Sequence, residues 1–162
     1  MKISTIIIRW PAPAIFLAAI LAAPLYAKPN GGEWKSSQLI QPEELVKLLS
    51  SKSKSKPLVF QVGFEFLYRS GHIPGSAWAG PASRPEGIDK LKAAVKDVAK
   101  NKAILLYCGC CPWTDCPNIR PAFDTMEKLG FKNVKAVYLP SSFEKDWIKK
   151  GYPTKMVEAT KE

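Results

Sequence analysis

Three short apolar runs, Leu58–Val62 (LVFQV), Ala103–Tyr107 (AILLY) and Val134–Leu139 (VKAVYL), alternate along this chain with amphipathic segments. Short, nearly unbroken apolar runs rich in β-branched and aromatic residues are what strands buried on both faces of a parallel sheet require. Between the runs the spacing is helical. Glu86–Ala99 sets Ile88, Leu91, Ala94, Val95 and Val98 on one side, and a segment around Ile119–Leu129 is closed by Gly130. Ahead of the first run, Gln41-Pro42-Glu43-Glu44 opens LVKLL, with Pro42 suited to a first helical turn and Leu45, Leu48 and Leu49 on one face. Strands alternating with helices predict an α/β domain, a central mostly parallel sheet flanked by helices in three layers. Ligands of such sheets collect at the carboxyl ends of the strands.

The second run delivers the chain into YCGCCPWTDCPNIRP, Tyr107–Pro121, and all four cysteines lie between Cys108 and Cys116. Cys108 comes first after the strand and is read either as a nucleophile or as a packed, inert thiol. In an exported protein the extra cysteines are read as a disulfide joining Cys110 or Cys111 to Cys116, which would hold the loop in shape. The competing reading is a soft-metal site, since Cys-x-Cys-Cys-x4-Cys offers thiolates to copper(I) or zinc. The spacing is not the paired Cys-x2-Cys of zinc ribbons, and His72 is the only histidine, so no metal is assigned and no cofactor is expected.

Export itself is read from residues 1–27, where Lys2 and Arg9, an apolar block Ala12–Ala23 and a final Ala27 follow the order of a secretory signal peptide. A periplasmic or secreted protein without a stable membrane anchor after cleavage is therefore expected. Residues 28–37 read as a flexible lead-in, 38–157 as the domain and 158–162 as a tail. The formal charge of +10 is spread over scattered lysines rather than a basic stripe with aromatics, which argues against nucleic acid and for a general attraction to small anions.

Several segments resemble the rhodanese family of sulfurtransferases. GHIPGSAW (Gly71–Trp78) is similar to its GHIPGA segment, LLYC (Leu105–Cys108) to the strand carrying its catalytic cysteine, and QPEELVKLL to its opening helix. FEKDWIKKGYP matches its closing W-x-x-x-G-x-P pattern through Trp147, Gly151 and Pro153. The resemblance implies a rhodanese-like fold and a Cys108 persulfide that moves sulfane sulfur from a small anionic, thiosulfate-like donor to a thiol or cyanide. It also implies an active loop built from Gly109, Cys110, Cys111, Trp113 and Thr114, with Arg120 holding the anion. The alternative is a non-catalytic module of the same fold whose cysteine-rich loop binds a soft metal or a partner protein, the partner's identity being unspecified. Three departures bear on that choice. Gln61-Val62-Gly63 stands where the family shows Asp-x-Arg, Pro140-Ser141-Ser142 replaces a Gly-Gly, and Arg120 lies twelve positions after Cys108 where the family's loop has five.

Overall fold

A computed structural model of the chain describes residues 33–53 and 55–157. The expected signal peptide and C-terminal tail lie outside the described residues. Five parallel strands run in the order β1 (Leu39–Ile40), β5 (Val134–Val137), β4 (Ile104–Tyr107), β2 (Leu58–Gln61) and β3 (Ala77–Trp78). Each of the three apolar runs is a strand, and the strand bearing the cysteines is central, pairing Leu106 with Phe60 on one side and Ala136 on the other. Parallel strands need covering on both faces. Helices α3 (Pro85–Ala94) and α4 (Ile119–Lys128) pack on Phe60, Ile104, Leu106 and Ala136 through Leu91, Phe123 and Met126. Helices α1 (Pro42–Ser50) and α5 (Phe143–Asp146) cover Val59, Leu105, Tyr107 and Val137 through Leu45, Phe143 and Trp147. The alternation along β4 puts Cys108 on the same side as Ile104 and Leu106, toward α4.

The two outlying motifs brace this arrangement. Trp147 is fully buried and its indole N–H donates to the Pro153 carbonyl at 2.9 Å. His72 exchanges backbone hydrogen bonds with Lys155 and stacks on Tyr68, its Nδ1 lying 2.9 Å from the Tyr68 carbonyl, so its part here is structural. A fifth helix, α2 (Glu65–Ser70), and the two-residue strands β1 and β3 are too short to show a period in the sequence.

Two boundaries differ from expectation. Helix α3 ends at Ala94 rather than Ala99, while Val95 still reaches the core and Val98 packs against it through the turns that follow. In the described part of the lead-in, the Trp34 ring packs tilted against Trp113 at 5.1 Å and edge-on against Phe123 at 5.0 Å, and Ser36–Gln38 forms a 3-10 turn, so packed structure begins before Gln38. Among the described residues no helix is long and apolar enough to cross a membrane.

Candidate functional site: a thiol cluster at the strand ends

The chain leaves β4 through Cys108 and turns at Gly109, whose φ of +69° is one that side chains with a Cβ rarely adopt. A Cβ at Gly109 would lie 2.6 Å from the Cβ of Phe143, and the Gly109 carbonyl accepts the Phe143 N–H at 3.0 Å. Gly63 presses as closely from β2's side, where a Cβ would stand 2.8 Å from the Cys108 sulfur. These two glycines let the cysteine loop lie flat against its neighbours.

The loop folds back so that the sulfurs meet. Cys108 Sγ is 3.2 Å from Cys110 Sγ, Cys110 Sγ is 3.1 Å from Cys111 Sγ, and the sulfurs of Cys108, Cys110 and Cys116 all lie within 4.8 Å of one another. All four cysteines are free in this structure, so the expected pairing of Cys110 or Cys111 with Cys116 is not present in it. Asn118, fully buried at the start of α4, points its amide N–H at Cys108 (3.5 Å) and Cys110 (3.6 Å) while its carbonyl accepts the Ser83 N–H at 2.9 Å. That second bond fixes which end of the amide faces the sulfurs.

The cluster is electrostatically uneven. Cys110 accepts from Cys108 and Cys116, then from Cys111 and Asn118, and these donors pull its pKa down to about 2 against the opposing effect of burial. Cys108 moves the other way, well above the usual thiol range, because it donates to Cys110, with Cys116 and burial adding to the effect. Burial, followed by the bond to Cys110, raises Cys111. At Cys116 the bond with Cys108 favours the thiolate, but donation to Cys110 and burial outweigh it and the pKa rises. One negative charge shared among several thiols, centred on Cys110, is the state these contacts favour.

A cleft of about 330 Å³ opens over this cluster. Tyr107–Cys110 form its floor, Leu67, Phe143 and Ile148 give apolar wall, and Gln61, Ser70 and Ser142 give polar wall. Burial raises the Tyr107 pKa, and its hydroxyl accepts the Ile73 N–H and bonds Ser76, so it stays neutral. Other surface clefts, of 460, 440 and 460 Å³, are lined by no cysteine. A much smaller void of about 10 Å³ lies behind the loop, bounded by Cys108, Cys111, Trp113 and Cys116.

The residues expected in the loop therefore separate. Cys108, Gly109 and Cys110 line the cleft; Cys111 and Trp113 face the rear void; Thr114 is exposed on the turn Trp113–Asp115 and lines neither. Arg120 also lines neither. It lies on the second residue of α4, its guanidinium 3.5 Å from the Trp34 ring centroid and 3.9 Å from Asp124, so it is packed into the helix layer rather than aimed at the cleft. Arg120→Gln should leave the KM for a sulfur donor unchanged while costing about 1–2 kcal/mol of stability through the lost stacking. Steady-state kinetics alongside urea unfolding checks both halves. Asn118 was not picked out by sequence reasoning, yet it is the polar residue closest to the sulfurs. Its signal was visible: a short amide-bearing residue just before a helical segment.

Two of the three departures from the family's sequence pattern, at Gln61 and Ser142, fall at the cleft itself. Gln61 is buried and accepts the Gly63 N–H at 3.1 Å, filling with a neutral amide the place of a charged residue. Ser142 caps α5 by accepting the Lys145 N–H, and Asp146 ties the turn by accepting the N–H groups of Ser141 and Ser142.

No protein-family model matches the chain, and no curated protein does. Solved structures do. The BH2092 protein of Bacillus halodurans aligns at 21% identity and a TM-score of 0.58, covering 75% of this chain and 78% of that one. The Alr3790 protein of Anabaena aligns at 18% identity and 0.58, covering 75% and 95%. A Rhodanese_3-like domain of the same Anabaena protein aligns at 18% identity and 0.49, covering 65% and 97%. With the sheet order and the helix layers, the likenesses to the first two structures are of fold, and the fold is the three-layer parallel α/β domain that the resemblance to rhodaneses implies.

Proposed function

We propose that the protein is a sulfurtransferase that takes sulfane sulfur from a thiosulfate-like donor onto a cysteine of this cluster and passes it to a thiol. The observation that carries the reading is the cleft at the strand ends whose floor is Cys108–Cys110, with Cys110 accepting from its neighbours. A half-buried sulfur that is open to a cleft and accepts from the thiols around it is placed to act as a nucleophile. The resemblance points to Cys108 for this role; the contacts of the cluster favour Cys110, and the proposal is that Cys110 attacks. Its thiolate would form a bond to the donor's outer sulfur while that sulfur's bond to the oxidised sulfur breaks, and sulfite or a sulfinate would leave with the electron pair. The donors that hold charge on Cys110 would then hold it on the persulfide.

The lining also bears on the donor. Among the described residues lining the cleft there is no lysine or arginine, Glu144 stands at it, and Leu67, Phe143 and Ile148 are apolar. This supports a donor with a single charge and an apolar body over the thiosulfate dianion. With cyanide as acceptor, benzenethiosulfonate should give a kcat/KM about tenfold or more above that of thiosulfate. A preference for thiosulfate would overturn this donor assignment, and release of neither sulfinate nor sulfite from the two donors would overturn the sulfurtransferase reading.

One observation favours a second reading. Three sulfurs within 4.8 Å, two of them buried, suit a soft metal such as copper(I), which thiolates select. Cys108, Cys110 and Cys116 would hold it. Protein that binds one copper(I) tightly and takes up no sulfur after the metal is stripped would be a metal-binding module instead.

A further inference from the structure

We infer that Cys116 resolves a persulfide on Cys110, so that the protein releases the transferred sulfur as hydrosulfide and is left with a Cys110–Cys116 disulfide. The inference rests on the sulfurtransferase reading and gives it an internal acceptor. Thiol–disulfide displacement needs the attacking sulfur, the sulfur attacked and the leaving sulfur nearly in line. Sulfur taken up from the cleft projects from Cys110 into the cleft, so the attacker must come from the opposite side. Cys116 occupies that side. It is buried, lines the rear void and not the cleft, and its sulfur lies within 4.8 Å of Cys110's. Cys108, 3.2 Å from Cys110, lines the cleft beside it as well as the rear void, whereas Cys116 lines the rear void and not the cleft, so approach from the rear favours Cys116. Cys111 is adjacent in sequence, and a disulfide between neighbouring residues is strained.

The step balances. The Cys116 thiolate attacks the inner sulfur of Cys110–S–SH, the bond between the two sulfurs of the persulfide breaks, a Cys110–Cys116 bond forms, and HS⁻ leaves with the electron pair. The outer sulfur is reduced from the sulfane to the sulfide state, and the two protein sulfurs are oxidised to the disulfide. A dithiol reductant from outside then returns both thiols and is itself oxidised to a disulfide.

The experiment adds benzenethiosulfonate to the full reduced protein without other thiols, and follows released sulfinate, released sulfide, free thiols and intact mass. The wild type should release one sulfide per sulfinate, lose two of its four thiols and weigh two hydrogens less. Cys116→Ser and Cys116→Ala should still release one sulfinate per protein, more slowly because Cys116 also donates to Cys110, but should release at least about tenfold less sulfide per sulfinate and hold one extra sulfur. Cys111→Ser, whatever its rate of uptake, should still release one sulfide per sulfinate. Sulfinate release with a stable extra sulfur on the wild type, or undiminished sulfide release from both Cys116 variants, would overturn the inference and leave sulfur uptake standing. Absence of sulfinate altogether would overturn uptake and the inference with it.

Discussion

Cys110→Ser is expected to abolish sulfur uptake, lowering the rate of sulfinate release from benzenethiosulfonate by at least about a thousandfold, as loss of a catalytic nucleophile does. Serine keeps the size and the hydrogen-bonding capacity of the residue, so the fold should survive and the loss should fall on chemistry. Cys108→Ser should be slowed but not inactive, because a serine hydroxyl can still donate to the Cys110 sulfur where the Cys108 thiol now stands at 3.2 Å. The two variants thus separate a nucleophile from the group that holds its charge. Stopped-flow or initial-rate measurement of sulfinate settles it; an active Cys110→Ser beside an inert Cys108→Ser would return the role to Cys108.

Gly109→Ala is expected to cost the most stability of any single methyl group added at the site. The φ of +69° disfavours a residue with a Cβ by about 1–2 kcal/mol. The added carbon would also stand 2.6 Å from Phe143 Cβ and 2.7 Å from Phe143 N, and forcing atoms into a packed region costs about 1–3 kcal/mol more. The sum, about 2–5 kcal/mol, is a large share of the stability of an ordinary domain. The hydrogen bond from Phe143 N–H to the Gly109 carbonyl ties the cysteine loop to α5, so relief of the clash would move Cys110 relative to the cleft wall. Urea unfolding should show a lower midpoint with an unchanged slope, and sulfur uptake should fall with it. A midpoint equal to the wild type's would show that the loop and α5 do not meet as described.

How much of this could be read from the chain alone differs by residue. The apolar runs announced β2, β4 and β5 because a strand covered on both faces has no polar positions to disguise it. Strands β1 and β3, two residues each, carry no period and are set by their neighbours, as Leu39 is by Ala136 and Ala77 by Phe60. The cysteine cluster was legible as composition but not as geometry: nothing in the spacing says that Cys110 and Cys116 meet while Cys111 turns to the rear void. The packing of Arg120 on Trp34, 86 positions earlier in the sequence (120 − 34), leaves no local trace. Gln61 and Ser142 stood out as breaks in a family pattern, and both line the cleft.

The central claim, sulfur held on Cys110, is tested most directly by mapping. Reduced Cys116→Ser protein, in which the sulfur should persist, is loaded with benzenethiosulfonate, alkylated at once and digested, and the peptide spanning Tyr107–Pro121 is sequenced by tandem mass spectrometry. The expected result is one extra sulfur, carried by Cys110. Extra sulfur on Cys108 or Cys111, or none on any cysteine while sulfinate is released, would contradict the account.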